Sequence, residues 1–220
     1  MIKAEGIHKT FEDFTALDNI TCSISDGCIY GMVGSNGAGK STFLRVLSGI
    51  YKPDKGCAYI DDEPIYENPK VKDNIVFVSD ELFFLPGATM SKMADFYSSI
   101  YDRFNYDRFL KLAELFELNI KKPIANFSKG MKRQASIILA LSTRAKYMFF
   151  DETFDGLDPV MRNLVKKLIC NDVAEYDTTV IVTSHSLREL EDICDHLALL
   201  HKGGLVLDSD VRELKTTQFK

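Results

Sequence analysis

A glycine-rich segment between an apolar run and a helical window is the part of the chain best suited to chemistry. Residues 34–42 read GSNGAGKST, and residues 34–41 match the pattern G-x-x-x-x-G-K-[ST]. Glycines let the backbone fold tightly so that successive N–H groups converge on an anion, and the following helix adds the positive end of its dipole. In this pattern Lys40 reaches the β- and γ-phosphates and the Ser41 hydroxyl binds Mg²⁺, with Thr42 near the α-phosphate. The segment predicts a nucleoside triphosphate site made by Gly34, Ser35, Asn36, Gly37, Ala38, Gly39, Lys40, Ser41 and Thr42.

A second group of candidate residues follows an apolar run later in the chain. Residues 147–150 read YMFF and are followed at once by Asp151 and Glu152. A carboxylate at the end of such a strand supports Mg²⁺ in phosphoryl-transfer sites, which is the role expected of Asp151. Glu152 lies one residue further out and is placed to orient or deprotonate an attacking water. An ordinary strand followed by an acidic turn would have the same letters, but the phosphate loop favours the catalytic interpretation.

Short β-type runs and helical windows alternate along the rest of the chain. Strands are predicted at residues 28–33, 57–60, 75–78, 147–150, 179–182, 197–200 and 205–207, with helices at 41–48, at intervals over 91–141, and from Pro159 onward. Strands that are apolar throughout are typical of parallel sheets covered on both faces. The pattern therefore predicts an α/β core, interrupted by an all-helical block at about 84–142.

Composition excludes several classes of protein. Of the 220 residues, 45% are hydrophobic and 27% are charged, which is near the average for globular domains and unlike disordered or fibrous chains. The net charge of −5 gives no global attraction to nucleic acid, so a nucleic-acid partner is not expected. Five scattered cysteines without a C-x-x-C pair indicate a reducing compartment. Neither a signal peptide nor an apolar run long enough to span a membrane is expected.

Five ordered motifs together resemble a known family over residues 2–207. Residues 126–134 (NFSKGMKRQ) resemble the signature LSGGQ, and Ser128 lies 23 positions before Asp151. The triplet that ends at His185 resembles a switch-histidine loop, residues 155–159 (DGLDP) resemble a D-loop, and residues 9–17 (KTFEDFTAL) resemble an adenine-binding segment. With the phosphate loop, these motifs identify the chain as similar to an ATP-binding cassette (ABC) nucleotide-binding domain.

The resemblance implies a fold. It is α/β, a P-loop NTPase with a RecA-like parallel core sheet, an N-terminal antiparallel β region and an inserted helical subdomain. The resemblance further implies one domain over residues 1–220, with a core at 1–83 and 143–220 and the helical subdomain at about 84–142.

The resemblance also implies the roles of several residues. Phe11 would stack on adenine and His185 would hold the γ-phosphate. Two such domains dimerise head to tail in this family, so Ser128 and Gly130 would contact ATP bound to a second cassette. Asp158 of the D-loop joins the expected nucleotide-binding set.

The sequence departs from the family pattern at two informative places. The signature carries Lys129 and Met131, and the form SKGMKRQ resembles cassettes of bacterial type-2 exporters, including those for peptide antibiotics. Asp80 stands where the family usually has glutamine, and we expect it to serve Mg²⁺ directly or through water, the alternative being a plain acidic turn. Residues 82–86 (LFFLP) face either a groove that receives a membrane subunit or the helical block, and the sequence leaves both open.

These observations favour an ATP-hydrolysing subunit that powers a membrane transporter, with ATP and Mg²⁺ as ligands. The resemblance of the signature favours an exporter. Its expected partners are a second ABC cassette, identical or different, and integral membrane permease subunits. Its expected location is the cytoplasm, peripheral on the inner face of the membrane through those subunits. The alternative is a soluble ABC ATPase that acts as a nucleotide-dependent switch on a non-transport partner. A switch without turnover is disfavoured because Glu152 and His185 are both present.

Overall fold

The computed structural model describes residues 1–211, which form ten strands and seven α-helices. The strands are β1 Ile2–Phe11, β2 Phe14–Ile24, β3 Ile29–Val33, β4 Lys55–Ile60, β5 Glu63–Pro64, β6 Ile75–Val78, β7 Tyr147–Phe150, β8 Thr179–Ser184, β9 His196–His201 and β10 Gly204–Asp210. The helices are α1 Lys40–Leu47, α2 Pro69–Lys72, α3 Met90–Ser98, α4 Tyr106–Leu115, α5 Lys129–Ser142, α6 Pro159–Tyr176 and α7 Leu187–Leu190, with a 3₁₀ turn at Ile124–Asn126.

A six-stranded sheet forms the core, in the order β10-β9-β3-β8-β7-β6. The five strands from β9 to β6 run parallel, and β10 folds back on β9 as an antiparallel hairpin. Every residue of β3, β7 and β8 is buried, which explains why their sequences are so apolar. The predicted parallel α/β core is confirmed, and the carboxyl ends of β3, β7 and β8 lie side by side.

A second sheet, entirely antiparallel, has the order β2-β1-β4-β5. It confirms the N-terminal antiparallel region and includes residues 57–60, which were predicted as a strand. The long strands β1 and β2 were not predicted by the apolar pattern. The register between them shifts three times, after Ala4, Ile7 and Lys9, so the period-2 alternation of a regular strand is broken.

The residues between β6 and β7 are mainly helical, as predicted. Helices α3 and α4 each pack on α5, and α5 is buried along most of its length. Their apolar faces share one hydrophobic cluster with Val78 of β6 and Phe150 of β7. The helical block therefore rests directly on the core sheet, while its exact limits stay a prediction. Within residues 1–211, the structure contains no helix with the length and apolar character needed to cross a bilayer.

Candidate functional site

The phosphate loop lies between the central strand β3 and helix α1, the position that its motif requires. Gly39 precedes α1 with a φ of 107°, a left-handed conformation that other residues rarely adopt. A Cβ at Gly39 would lie 2.6 Å from the carbonyl oxygen of Ala16, and one at Gly34 would lie 2.6 Å from that of Leu200. These two glycines are therefore required by close backbone packing as well as by the turn.

A cavity of about 390 Å³ opens over the loop. Its walls are formed by residues 36–42 together with Phe14, Ala16, Asp80, Glu152, Asp155 and His185. The structure thus brings seven residues of the predicted phosphate loop together with Glu152, His185 and Asp80, which lie far apart in the sequence. Gly34 and Ser35 do not line the cavity, but their carbonyl oxygens accept hydrogen bonds from Lys40, which does. Asp151 does not line it either and precedes Glu152 in the chain.

Lys40 is the cation of the cavity. Its side chain is only 5% exposed, and Nζ donates to the carbonyl oxygens of Gly34 at 2.6 Å and Ser35 at 3.3 Å. The same ammonium lies 3.0 Å from Oε1 of Glu152. A buried ammonium needs such partners because desolvation penalises an unpaired charge. The predicted phosphate-binding lysine and the predicted catalytic carboxylate are therefore an ion pair in this structure.

Asp151 is fully buried at the end of β7. Its Oδ1 accepts a hydrogen bond of 2.8 Å from the hydroxyl of Thr183, which in turn accepts from the backbone N–H of Glu152 at 3.0 Å. Its Oδ2 is buried without a hydrogen-bond partner among residues 1–211. A buried carboxylate oxygen left unpaired is costly unless a ligand or water completes it. Asp151 therefore fits the chemistry of a divalent cation, with the Ser41 hydroxyl on the neighbouring loop as a further oxygen donor.

The sequence interpretation gave Thr183 no role of its own. The signal that could have identified it is the strand order, because Phe150 of β7 pairs with Val182 of β8 and places Asp151 beside Thr183. The hydroxyl of Thr183 fixes both carboxylate residues. It donates to the side chain of Asp151 and accepts from the backbone N–H of Glu152.

Glu152 and His185 meet at the mouth of the cavity. Oε2 of Glu152 lies 3.2 Å from Nδ1 of His185 and accepts from the His185 backbone N–H at 3.3 Å. Glu152 has a φ of 47°, an uncommon left-handed conformation for a residue with a side chain. Since its other oxygen is on Lys40, the carboxylate bridges the predicted lysine and the predicted histidine.

Asp155 adds a third acidic group to this wall, and sequence analysis assigned it no function. Burial raises the pKa of Asp155 above its ordinary value, and repulsion from Glu152 adds to the shift, while His185 opposes it. One ligand atom from each of Glu152, Asp155 and His185 lies within 4.8 Å of the others. The wall facing the phosphate loop is therefore strongly acidic.

Asp80 reaches the cavity as expected, but its carboxylate already has a partner. Asp80 is 54% exposed, and its Oδ1 lies 2.6 Å from the guanidinium of Arg133, which is 2% exposed. The plain acidic turn is thus a poor description of this residue. A role for Asp80 toward Mg²⁺ stays a prediction.

The two aromatic residues of the β1–β2 hairpin differ in their surroundings. Phe11 and Phe14 are cross-strand partners, and the ring of Phe11 packs edge to face on Tyr51 at 5.3 Å between centroids. Phe14, which is 59% exposed, lines the cavity, whereas Phe11 does not. Of these two aromatic residues, only Phe14 contributes to the cavity wall, and the base-stacking role that the resemblance gives to Phe11 stays a prediction.

Ser128, Gly130 and Asp158 lie outside the cavity. The Ser128 hydroxyl accepts from the N–H of Met131 at 3.2 Å and begins α5. Asp158 begins α6 in the same way, accepting from the first N–H groups of that helix. A Cβ at Gly130 would lie 3.0 Å from the carbonyl oxygen of Gly156. Within one chain these residues are helix caps and a close contact, and their nucleotide contacts stay predictions.

Comparisons with known proteins agree with this geometry. The family model described as ABC transporter matches residues 17–155. The ABC transporter ATP-binding protein YtrB of Bacillus subtilis is 32% identical over 220 residues, covering 100% of this chain and 75% of that protein. The bacitracin transport ATP-binding protein BcrA of Bacillus licheniformis is 29% identical, covering 98% of this chain and 71% of that protein.

Solved structures give the same fold. A dimeric structure of the ATP-binding cassette MJ0796 in a post-hydrolysis state, bound to ADP and Pi, superposes with a TM-score of 0.86. The two sequences are 22% identical, and the match covers 96% of this chain and 99% of that one. The family match and these relatives agree with the phosphate loop, the acidic strand end and the histidine loop around one cavity. The protein therefore belongs to the ABC transporter family and is an ATP-binding cassette ATPase.

Proposed function

We propose that the chain binds ATP with Mg²⁺ in the cavity over the phosphate loop and drives a membrane exporter by head-to-tail dimerisation. The observation that carries this proposal is the arrangement of Lys40, Glu152 and His185 around the loop, with the unpaired oxygen of Asp151 beside it. It places an anion site and a base in one cavity, with a cation ligand beside them.

The residues divide the work of hydrolysis. When ATP binds, Lys40 would leave its ion pair with Glu152 and contact the β- and γ-phosphates. The Glu152 carboxylate would then be available to take a proton from the attacking water. His185, already hydrogen-bonded to Glu152, would orient this carboxylate and contact the γ-phosphate. Mg²⁺ would be held by Ser41 and Asp151 and would neutralise charge on the phosphate oxygens.

The exposed start of α5 supports the proposed dimer. Ser128 and Lys129 are exposed, and the first turn of α5 contains no acidic residue. The N-terminus of such a helix attracts anions through its dipole and its unpaired N–H groups. Since Ser128 does not line its own chain's cavity, we propose that it meets ATP held by a second cassette, identical or different.

The segment after β6 supports a membrane partner. Phe83 is 76% exposed and Leu85 is 37% exposed, whereas Leu82 and Phe84 pack against the core. The sequence left open whether this segment packs on the helical block or docks on a membrane subunit. Alternate residues are suited to the two roles, Leu82 and Phe84 to packing and Phe83 and Leu85 to docking. We propose that Phe83 docks on a permease subunit, which would hold the cassette at the cytoplasmic face of the membrane.

A matched pair of variants tests the permease surface. Phe83→Asp should leave the melting temperature unchanged and abolish recovery of the cassette with membranes that contain its permease. Phe84→Asp should instead lower the melting temperature, because Phe84 packs on the core. If Phe83→Asp destabilised the fold as much as Phe84→Asp, or left membrane recovery intact, the docking proposal would be wrong.

Export is supported by relatives whose names refer to antibiotic transport or antibiotic resistance. Besides the bacitracin protein, a linearmycin resistance ATP-binding protein of Bacillus subtilis is 31% identical over 212 residues. The transported compound would be set by the permease subunits, so we propose the direction of transport without a substrate.

The dimer is tested by size exclusion of the Glu152→Gln variant, in which hydrolysis is blocked. We expect a dimer with ATP and a monomer with ADP, and we expect Ser128→Arg to abolish the dimer without changing ATP binding. Lys40→Ala, which should lose ATP itself, is the control for nucleotide dependence. A monomer under all conditions, with ATP bound normally, would contradict formation of a homodimer and direct the search to a different cassette.

A further inference from the structure

One buried arginine joins the helical block to the wall of the ATP cavity. Arg133 of α5 is 2% exposed and extends to the loop that follows β6. It donates to the carbonyl oxygens of Ser79 at 3.0 Å and Asp80 at 3.1 Å, and to Oδ1 of Asp80 at 2.6 Å. Asp80 lines the cavity. A single guanidinium thus fixes both the backbone and the charge of this part of the wall.

The charge of Asp80 reaches the other acidic residues of the cavity. Asp80 is one of the carboxylates that raise the pKa of Asp155, although burial and Glu152 contribute more. Three carboxylates therefore face the place where ATP would bring three or four negative charges, and Lys40 is the lysine that lines the same wall. Each uncompensated carboxylate there would weaken phosphate binding through Coulomb repulsion.

We propose that Arg133 is a positioning residue for nucleotide binding, which neutralises Asp80 and holds it against α5 so that the cavity accepts polyphosphate. The inference rests on the proposed place of ATP in this cavity. The Arg133–Asp80 pair then has a function beyond packing. It couples the loop that carries Asp80 to α5, and the start of α5 is proposed to meet the second cassette.

A second buried arginine provides a matched control. Arg108 of α4 pairs with Asp172 of α6, and Asp172 is 2% exposed. This pair also ties the helical block to the core, but neither residue lines the cavity. Loss of either arginine should lower stability, since each removes a guanidinium that joins the helical block to the core. Only loss of Arg133 should change nucleotide affinity.

The test measures the Kd of ATP in EDTA by titration calorimetry, together with the melting temperature. Arg133→Gln should raise the Kd about threefold to tenfold, the size of effect expected when one half-exposed carboxylate near a polyphosphate loses its cation. Adding Asp80→Asn to that variant should return the Kd to within about twofold of wild type, because the repelling carboxylate is gone. Arg108→Gln should lower the melting temperature and leave the Kd unchanged.

Several results would overturn the inference. An unchanged Kd in Arg133→Gln, or a raised Kd that Asp80→Asn does not restore, would mean that Arg133 has only a structural role. If Arg133→Gln fails to fold, Arg133→Lys serves instead, with a smaller rise in Kd that Asp80→Asn must also cancel. Lys40→Ala separates the two proposals. Normal ATP binding by Lys40→Ala would refute the place of ATP, and with it the role of Arg133. Loss of binding by Lys40→Ala together with an unchanged Kd in Arg133→Gln would refute the role of Arg133 alone.

Discussion

Replacement of Glu152 by glutamine should tighten nucleotide binding as well as block hydrolysis. In the structure the Glu152 carboxylate is paired with the ammonium of Lys40. The proposed site needs this ammonium to bind phosphate. An amide has the same shape and can still accept a hydrogen bond from Lys40 and His185, but it carries no charge. The incoming phosphate would therefore compete with a neutral group in place of a carboxylate.

The size of this effect follows from the geometry of the pair. The two atoms are 3.0 Å apart, and the side chains of Lys40 and Glu152 are 5% and 12% exposed. At an effective dielectric constant of about 20, the Coulomb attraction is roughly 5 kcal/mol, but desolvation cancels most of it. Hydrogen bonds to charged groups exceed neutral ones by about 1 kcal/mol net, so Glu152→Gln should lower the Kd about fivefold.

The assay is titration calorimetry with ADP in EDTA, which removes both hydrolysis and the proposed ATP-dependent dimer from the measurement. Asp155→Asn is the matched control, because it removes a carboxylate from the same wall without touching Lys40, and its gain should be smaller. ATP hydrolysis by Glu152→Gln should fall by about 10²–10⁴, the usual contribution of a general base. If Glu152→Gln bound ADP no more tightly than Asp155→Asn, the Lys40–Glu152 competition would be refuted.

Three further predictions concern neighbouring residues. Thr183→Val leaves the Oδ1 of Asp151 buried without its donor, so thermal unfolding should show a melting temperature lower by about 2–8 °C and a reduced turnover. Asp155→Asn should raise the melting temperature at pH 7 by about 1–2 °C, because a raised pKa means that the ionised form destabilises the folded state. This gain should disappear as the pH falls below about 4, where the unfolded carboxyl is also protonated. Phe14→Ala should raise the Kd of ATP about fivefold or more by loss of base stacking, and Phe11→Ala less than twofold; the reverse order in a fluorescence titration would restore Phe11 as the base platform.

The phosphate loop could be predicted because its chemistry is local. A tight turn, a lysine and a hydroxyl within nine consecutive residues determine the anion site, whatever the rest of the chain does. Asp151 and Glu152 could be predicted for a similar reason, since carboxylates that follow an apolar run directly lie at the carboxyl end of a buried strand, beside the phosphate loop. The structure agrees on both positions, and their meeting depends only on the order of β3, β7 and β8.

The contacts that could not be predicted all join distant segments. Arg133 lies in a polar stretch of sequence that resembles a solvated helix start, and only the packing of α5 on the core buries it. Thr183 is unremarkable in a β-type run until β8 is placed beside β7. Phe11 and Phe14 are equivalent by residue type, and their different surroundings follow from the hairpin and from Tyr51. Periodicity and motifs carry no information on such pairs.

The two helix starts that resemble nucleotide contacts differ in charge, which separates their roles. Asp158 places a carboxylate on the first N–H groups of α6, so it neutralises the helix dipole within the chain itself. Ser128 starts α5 with a neutral hydroxyl, and the first turn of α5 adds no acidic side chain. A phosphate from a second cassette would therefore be attracted to α5 and repelled by Asp158. Of the two helix-capping residues, Ser128 therefore has the stronger physical reason for a phosphate contact, while the nucleotide role of Asp158 stays a prediction beside its contact with the start of α6.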